Sequence, residues 1–271
     1  MFSAVTVKKR TPLTGQLTGT HQRLDQVARR SLSPLLKRGV YFPSSKEILH
    51  FEGYRGPDGL KLKSDDGSDE PDHFILPDEE NPELIKELKN HWYNLSEALK
   101  EKNNVRSAFE AAWLAHLIAD GLTPAHHVPY QETVEEMMGE KEFLKIFGKP
   151  ITGIMRGNTT LEAAKNNWKY WGVNGLMSRH VAFEYGVALI VTSLPPRRYA
   201  PLLSKADLEN FELEREFKAF LEEINKLDMY GRFARSGWTP KLTHDVQNLL
   251  LPSIIRLIAL AWASALKKAE K

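Results

Sequence analysis

An all-α, single-domain multi-helix bundle is predicted by three features of the sequence. Apolar residues recur at three- and four-residue spacing through most of the chain, the period of a helix with one buried face. No alternating apolar–polar run of useful length marks a strand, and no internal repeat is visible. A length of 271 residues with 42% hydrophobic content fits one compact unit with a substantial core.

The elements follow in order. Residues 1–18 carry several Thr and Gly without a sustained period and read as an N-terminal arm. From about His21 to Leu36, residues Leu24, Val27, Ala28, Leu32 and Leu35 share a helical face, with Thr20 as the expected N-cap. Residues 39–80 hold Gly, Pro and acidic clusters and predict a long loop, of the kind that is usually functional. Helices follow at roughly 81–100 and 104–120. The second aligns Val105, Ala108, Phe109, Ala112, Trp113, His116 and Leu117, and stops before Pro124. Residues 128–170 read as irregular with a short helix near 132–147. An apolar helix over 174–193 ends before Pro195-Pro196, and helices near 204–228 and 242–269 complete the chain.

Composition narrows the chemistry. Lys and Arg number 37 against 35 Asp and Glu, so a net charge of +2 gives no strong electrostatic reason to expect nucleic acid or an anionic membrane. The absence of cysteine excludes disulfide scaffolds, thiolate zinc fingers and cysteine nucleophiles. A metal would therefore be held by His, Asp and Glu, a ligand set typical of hydrolytic sites. Lys8, Lys9 and Arg10 follow only a short apolar stretch, which does not read as a secretory signal, so a cytoplasmic location is expected. The stretch Leu249–Leu266 contains Pro252 and Arg256 and reads as a core helix, with no transmembrane segment expected.

The segment WLAHLIADGLTPAHH carries the sharpest signal. His116 and Asp120 are four apart, so a helix stacks them on one face, and that face is the apolar one. Burying an unpaired charge costs several kcal/mol, and a bound cation removes that cost. His126, beyond the Thr123-Pro124 turn, can return to the same volume. His180 and Glu184 repeat the four-residue spacing in line with Met177, Val187, Ala188 and Val191, and His21 shares a face with Leu24 and Ala28. Any one inward His is ordinarily a hydrogen-bonded core residue. Three helices each aiming such groups inward favour a shared Zn²⁺ cluster, with Mn²⁺ or Fe²⁺ compatible by geometry.

These residues together resemble the zinc-dependent phospholipase C and single-strand-specific nuclease superfamily. Its members are all-α domains with three zinc ions at the base of a cleft, hydrolysing phosphate esters. The match covers about residue 15 to the C-terminus, which places the domain at 19–271 with an insertion at about 128–173. The resemblance implies that His126, His180 and Glu184 hold one zinc. It implies that His73, His116 and Asp120 hold a second, with Asp120 bridging to a third that is also bound by His21. The family's loop Asp, a zinc ligand and candidate general base, maps to Asp58, with Glu52, Asp65 and Asp66 as rivals. His73 is preferred to His50 because it leads into the helix before the motif.

Three departures stand out. The family completes its third zinc site with a processed N-terminal Trp, whereas Met1 lies 20 residues before His21 here. The gap from His126 to His180 is longer than the family norm and carries Trp168, Tyr170 and Trp171, for which packing is expected. Family members are commonly secreted. The implied function is a zinc-dependent phosphodiesterase of phospholipase C type, with a phosphate-ester substrate that is either a phospholipid or nucleic acid. A single-strand nuclease on the same scaffold is the near rival, and a metal-stabilised domain without catalysis is the alternative of a different class. His244-Asp245 resembles the adjacent pair of HD-type phosphohydrolases but sits near a predicted helix start, where Asp245 would serve as a cap.

Overall fold

The computed structural model describes residues 19–52, 55–58, 75–76, 83–129, 133–134, 136 and 157–271. Among these there is no strand, and the fold is all-α. The N-terminal arm, His73, and nearly all of the helix expected near 132–147 lie outside the described residues.

Helix α1 spans Thr20–Ser31. Its N-cap is Gly19 rather than Thr20, whose side chain is buried instead. It stops earlier than the periodicity suggests because Pro34 follows, and Ser33–Leu35 form a 3₁₀ turn. The region read as a continuous loop contains a short helix, α2 (Ser45–Ile48), started by a capping box between Ser44 and Glu47 and continued by a 3₁₀ turn over Leu49–Phe51.

Helices α3 (Glu83–Lys100) and α4 (Asn104–Gly121) form an antiparallel hairpin across a three-residue turn. The turn closes because Lys102 adopts φ 57°, letting the N–H of Asn103 donate to Ala98 O at 2.8 Å. Asn103 then caps α4 by accepting from the Arg106 N–H at 3.1 Å. Along the hairpin, the fully buried Glu110 carboxylate is held by His91 Nδ1 at 2.5 Å and by Arg106, an ion pair that no sequence pattern announced.

Fourteen of the 18 residues of α4 are buried, so it is a central helix rather than an amphipathic surface one. Its alanines at 108, 111, 112, 115 and 119 allow neighbours to approach closely. Val105, expected on the inner face, is 70% exposed because it lies in the first turn, before the helix enters the core.

The second central element is α11 (Leu251–Ala269). Ile254, Ile255, Leu257, Ile258 and Trp262 are inaccessible, and Trp262 Nε1 donates to the Ala111 carbonyl at 3.0 Å, locking α11 to α4. Full burial of each such aliphatic side chain contributes about 1.5–3 kcal/mol. The helical run Pro240–Ala269 is long and apolar enough to cross a membrane, but 78% of its apolar window is buried within the protein. Before α11 the run is α10 (Pro240–Asp245) and a π-turn over Val246–Leu250. The wide turn relieves the clash of the Pro252 ring with the carbonyl one turn back. Asp245 is no N-cap: it closes α10 and pairs with Arg232 at 2.7 Å.

Helices α5 (Thr160–Trp171) and α6 (Leu176–Ser193) pack together at one side. α5 lies in the stretch expected to be irregular; Thr159 starts it by accepting from the Glu162 N–H at 3.1 Å. The single long helix expected near 204–228 is broken into α7 (Lys205–Glu209) and α8 (Leu213–Lys226), and α9 (Met229–Ser236) follows.

Candidate metal centre

Three helices deliver a histidine and a carboxylate one turn apart to the interior. On α1 they are His21 and Asp25, on α4 His116 and Asp120, and on α6 His180 and Glu184. His21, Asp25, His116 and Asp120 are each 1–2% exposed. Asp25 was not anticipated from the sequence, although its spacing from His21 repeats that of the other two pairs.

Asp120 joins two imidazoles. Its Oδ1 lies 3.2 Å from His21 Nε2 and its Oδ2 lies 3.2 Å from His116 Nε2. The two rings stack in parallel, 4.0 Å apart with 10° between planes. Two loop carboxylates face the two nitrogens of His116: Asp58 Oδ1 is 3.7 Å from Nε2, and Glu52 Oε1 is 3.5 Å from Nδ1. The loop can do this because it doubles back at Gly56, where a Cβ would sit 2.7 Å from Phe51 O and 2.9 Å from Glu52 Cα. Asp58 is the more accessible of the two, with its side chain 27% exposed against none for Glu52. His50 is exposed and set against Arg55 at 2.8 Å, away from this cluster.

The second group is His126, His180 and Glu184. Both Nε2 atoms converge on Glu184 Oε1, at 2.9 Å from His126 and 3.1 Å from His180. His126 reaches this point through the turn after α4. Thr123 Oγ1 donates to Ala119 O at 2.6 Å, the Thr123 N–H donates to Asp120 O at 2.9 Å, and Pro124–His126 wind as a 3₁₀ turn. The N–H of Ile75 donates to the His126 carbonyl at 3.2 Å, tying the described end of the long loop to the centre.

These groups shift one another's protonation. Burial works against the charged form of His116, yet Asp120, Glu52 and Asp58 together hold its pKa well above the imidazole range. Burial opposes ionisation of Asp120 too, but a positive field that includes His21, His126 and His116 keeps it well below the carboxylate range. Glu184 is likewise low despite burial, with hydrogen bonds from His126 and His180 among the causes. Asp25 goes the other way, pushed well up by burial and by the charge of Glu52. Burial also lowers neighbouring His127 to about 4, and its Nε2 bonds the Gly121 carbonyl at 2.9 Å.

The donor set fits divalent cations on two counts. A tetrahedral zinc with ligands about 2.0–2.1 Å away separates them by about 3.3 Å, and the N···O contacts at Asp120 and Glu184 run from 2.9 to 3.2 Å. The ligand atoms of His21, Glu52 and His116, and those of His126, His180 and Glu184, lie within 4.8 Å of one another in each group. A field that draws a proton onto a fully buried imidazole is also one that draws a cation.

Seven of the eight expected site residues are thus described, and each contacts another of the set; His73 is the one outside the described residues. Of the aromatics expected to pack, Tyr170 is fully buried with Trp171 edge-on against it at 5.0 Å, while Trp168 and Trp171 are 70% and 43% exposed. His244 is exposed and takes no part. No protein-family model, no curated protein and no solved structure matches this chain.

Proposed function

We propose that the chain is a zinc-dependent phosphoesterase that hydrolyses a phosphodiester with a metal-activated water, in the manner of the phospholipase C and nuclease superfamily its motifs resemble. One observation carries this reading above others. Asp120 places each carboxylate oxygen on a different buried imidazole, as a residue shared between two ions requires, and His126 extends the constellation to a second group.

His126, His180 and Glu184 would hold one cation; His21, His116, Asp120 and Asp58 would hold the other part of the cluster, which the family resemblance extends to a third ion and to His73. Bound zinc supplies Lewis acidity toward phosphoryl oxygens and lowers the pKa of a coordinated water toward neutrality. The protein contributes position and charge. Asp120 and Glu184 are kept ionised, and the imidazoles are held by stacking and burial, so little rearrangement is needed when a phosphate arrives. Asp58, at 27% exposure, is the carboxylate best placed to accept a proton from a water entering from solvent.

The test is metal content by mass spectrometry alongside hydrolysis of phospholipid, single-stranded nucleic acid and an aryl phosphodiester, with and without chelator. Chelator-sensitive, zinc-restored turnover on any of them is expected. Metal binding without turnover would make the cluster a structural staple, and a purified chain that takes up no transition metal would overturn the metal reading altogether.

A further inference from the structure

We propose that Glu52 is the positioning residue of His116. Its carboxylate accepts the Nδ1–H of that imidazole and thereby presents Nε2, free of its proton, to the cation shared with Asp120 and Asp58. The proposal rests on the metal reading above and gives Glu52, a rival to Asp58 for the loop ligand and one of the clustered donor groups, a role at the other nitrogen of His116.

The geometry separates the two edges of the ring. Asp120 and Asp58 both face Nε2, at 3.2 and 3.7 Å, whereas Glu52 alone of the three faces Nδ1, at 3.5 Å. An imidazole that binds a metal through one nitrogen ordinarily donates its other N–H to a carboxylate or carbonyl, which fixes ring orientation and tautomer. His116 Nδ1 is buried and makes no formed hydrogen bond, and leaving such a donor unmatched is unfavourable because its water contacts are lost without replacement. Glu52 is the acceptor at hand. At 3.5 Å the contact is longer than a formed hydrogen bond, and contacts of this kind tighten when the ligand arrives.

The chain commits Glu52 to this place. The 3₁₀ turn over Leu49–Phe51 delivers it to the interior, and Gly56 packs against its backbone, leaving Glu52 5% exposed. His21 stacks on the face of the ring at 4.0 Å with 10° between planes, a contact that opposes tilting of His116 toward it. Asp25 provides an internal control. It is buried in the same cluster, feels the charges of Glu52 and His116, and has an Oδ2 atom without a hydrogen-bond partner, but it makes no ion-pair contact with the imidazole.

The experiment compares wild type, Glu52→Ala, Glu52→Gln and Asp25→Asn in the full chain. Zinc affinity is read by chelator competition, and the metal-bound nitrogen of His116 by ¹⁵N shifts of labelled histidine. Glu52→Ala is expected to weaken the zinc bound at His116 by about 10–100-fold and to scramble which nitrogen carries it. Glu52→Gln, which keeps an acceptor oxygen and loses the charge, recovers most of the affinity and the wild-type ¹⁵N pattern. Asp25→Asn, which alters a buried carboxylate of the same centre that makes no ion-pair contact with His116, keeps the wild-type ¹⁵N pattern of that imidazole. Unaltered zinc affinity and ¹⁵N pattern in Glu52→Ala would overturn the proposal. So would equal losses in Glu52→Gln and Glu52→Ala with the bound nitrogen unmoved, because Glu52 would then be a direct ligand. An Asp25→Asn effect as large as that of Glu52→Ala would also overturn it, pointing to buried charge in general rather than orientation. A wild-type chain that binds no zinc would instead overturn the metal reading on which the proposal rests.

Discussion

Replacing Asp120 by Asn keeps the side chain's shape and removes the charge that two imidazoles share. Each Asp120 oxygen is 3.2 Å from a different ring nitrogen, so an amide can satisfy one imidazole as acceptor but must turn its NH₂ toward the other. Removing one partner of a buried, compensated charge cluster costs about 3–5 kcal/mol. At 1.4 kcal/mol per decade this is roughly 10²–10⁴-fold weaker cation binding. His21→Ala removes the imidazole facing one Asp120 oxygen and leaves the Asp120–His116 contact in place, so its loss should be smaller. Metal content is read by mass spectrometry after dialysis against graded chelator. Asp120→Asn should retain mainly the ion at His126, His180 and Glu184, while His180→Ala should lose that ion and keep those at Asp120. Full metal content in both Asp120→Asn and His21→Ala would refute the assignment, as would loss of all metal from every variant alike.

Three other outcomes are expected. Gly186→Ala would drive a Cβ to 2.0 Å from the Trp238 indole, which stacks on Phe183, and should destabilise the fold by about 1–3 kcal/mol in urea unfolding. Lys102→Gly at φ 57° relieves left-handed strain of about 1–2 kcal/mol, partly offset by a freer unfolded chain, so a modest rise in Tm is expected. Asp207 is drawn from 3.8 to about 2, chiefly by its hydrogen bond from Arg256 at 2.6 Å. A depressed carboxylate pKa stabilises the fold above the unfolded value, and the contribution disappears as pH falls from about 4 toward 2. The pair is partly solvated, so this is under about 1 kcal/mol. Arg256→Gln should flatten thermal stability against pH in that window.

Burial pattern, more than propensity, decided what could be read ahead of the structure. The central helix around His116 and the one ending at Ser193 were legible because their apolar residues and paired polar residues share one period. The break between α7 and α8 was not, since Asn210 and Phe211 interrupt a pattern whose apolar spacing continues across them. α5 was missed because its inward face is narrow: only Asn166 and Tyr170 are buried. At the site, His-x-x-x-carboxylate spacing found two helix pairs. The third, His21–Asp25, went unread because Asp25 has the same look as any solvated acid on a helix; only its burial distinguishes it. In the sequence Glu52 and Asp58 are rivals for one role, whereas the fold sets them at different nitrogens of the same ring, a distinction that depends on where the loop doubles back.

The indole-to-carbonyl bond from Trp262 to Ala111 makes α4 and α11 a common spine. His116 and Asp120 grow from that spine, five and nine residues beyond the anchor point, whereas His180 and Glu184 grow from α6, whose opposite face is open to solvent at Val181, Tyr185 and Leu189. The two halves of the centre therefore stand on foundations of unequal stiffness. Amide hydrogens along α4 should exchange only through global unfolding, while those of α6 can open locally. On the metal reading proposed above, loading would then have a direction: the donors on the spine would be in place for a first ion, and those on α6 would settle around the next.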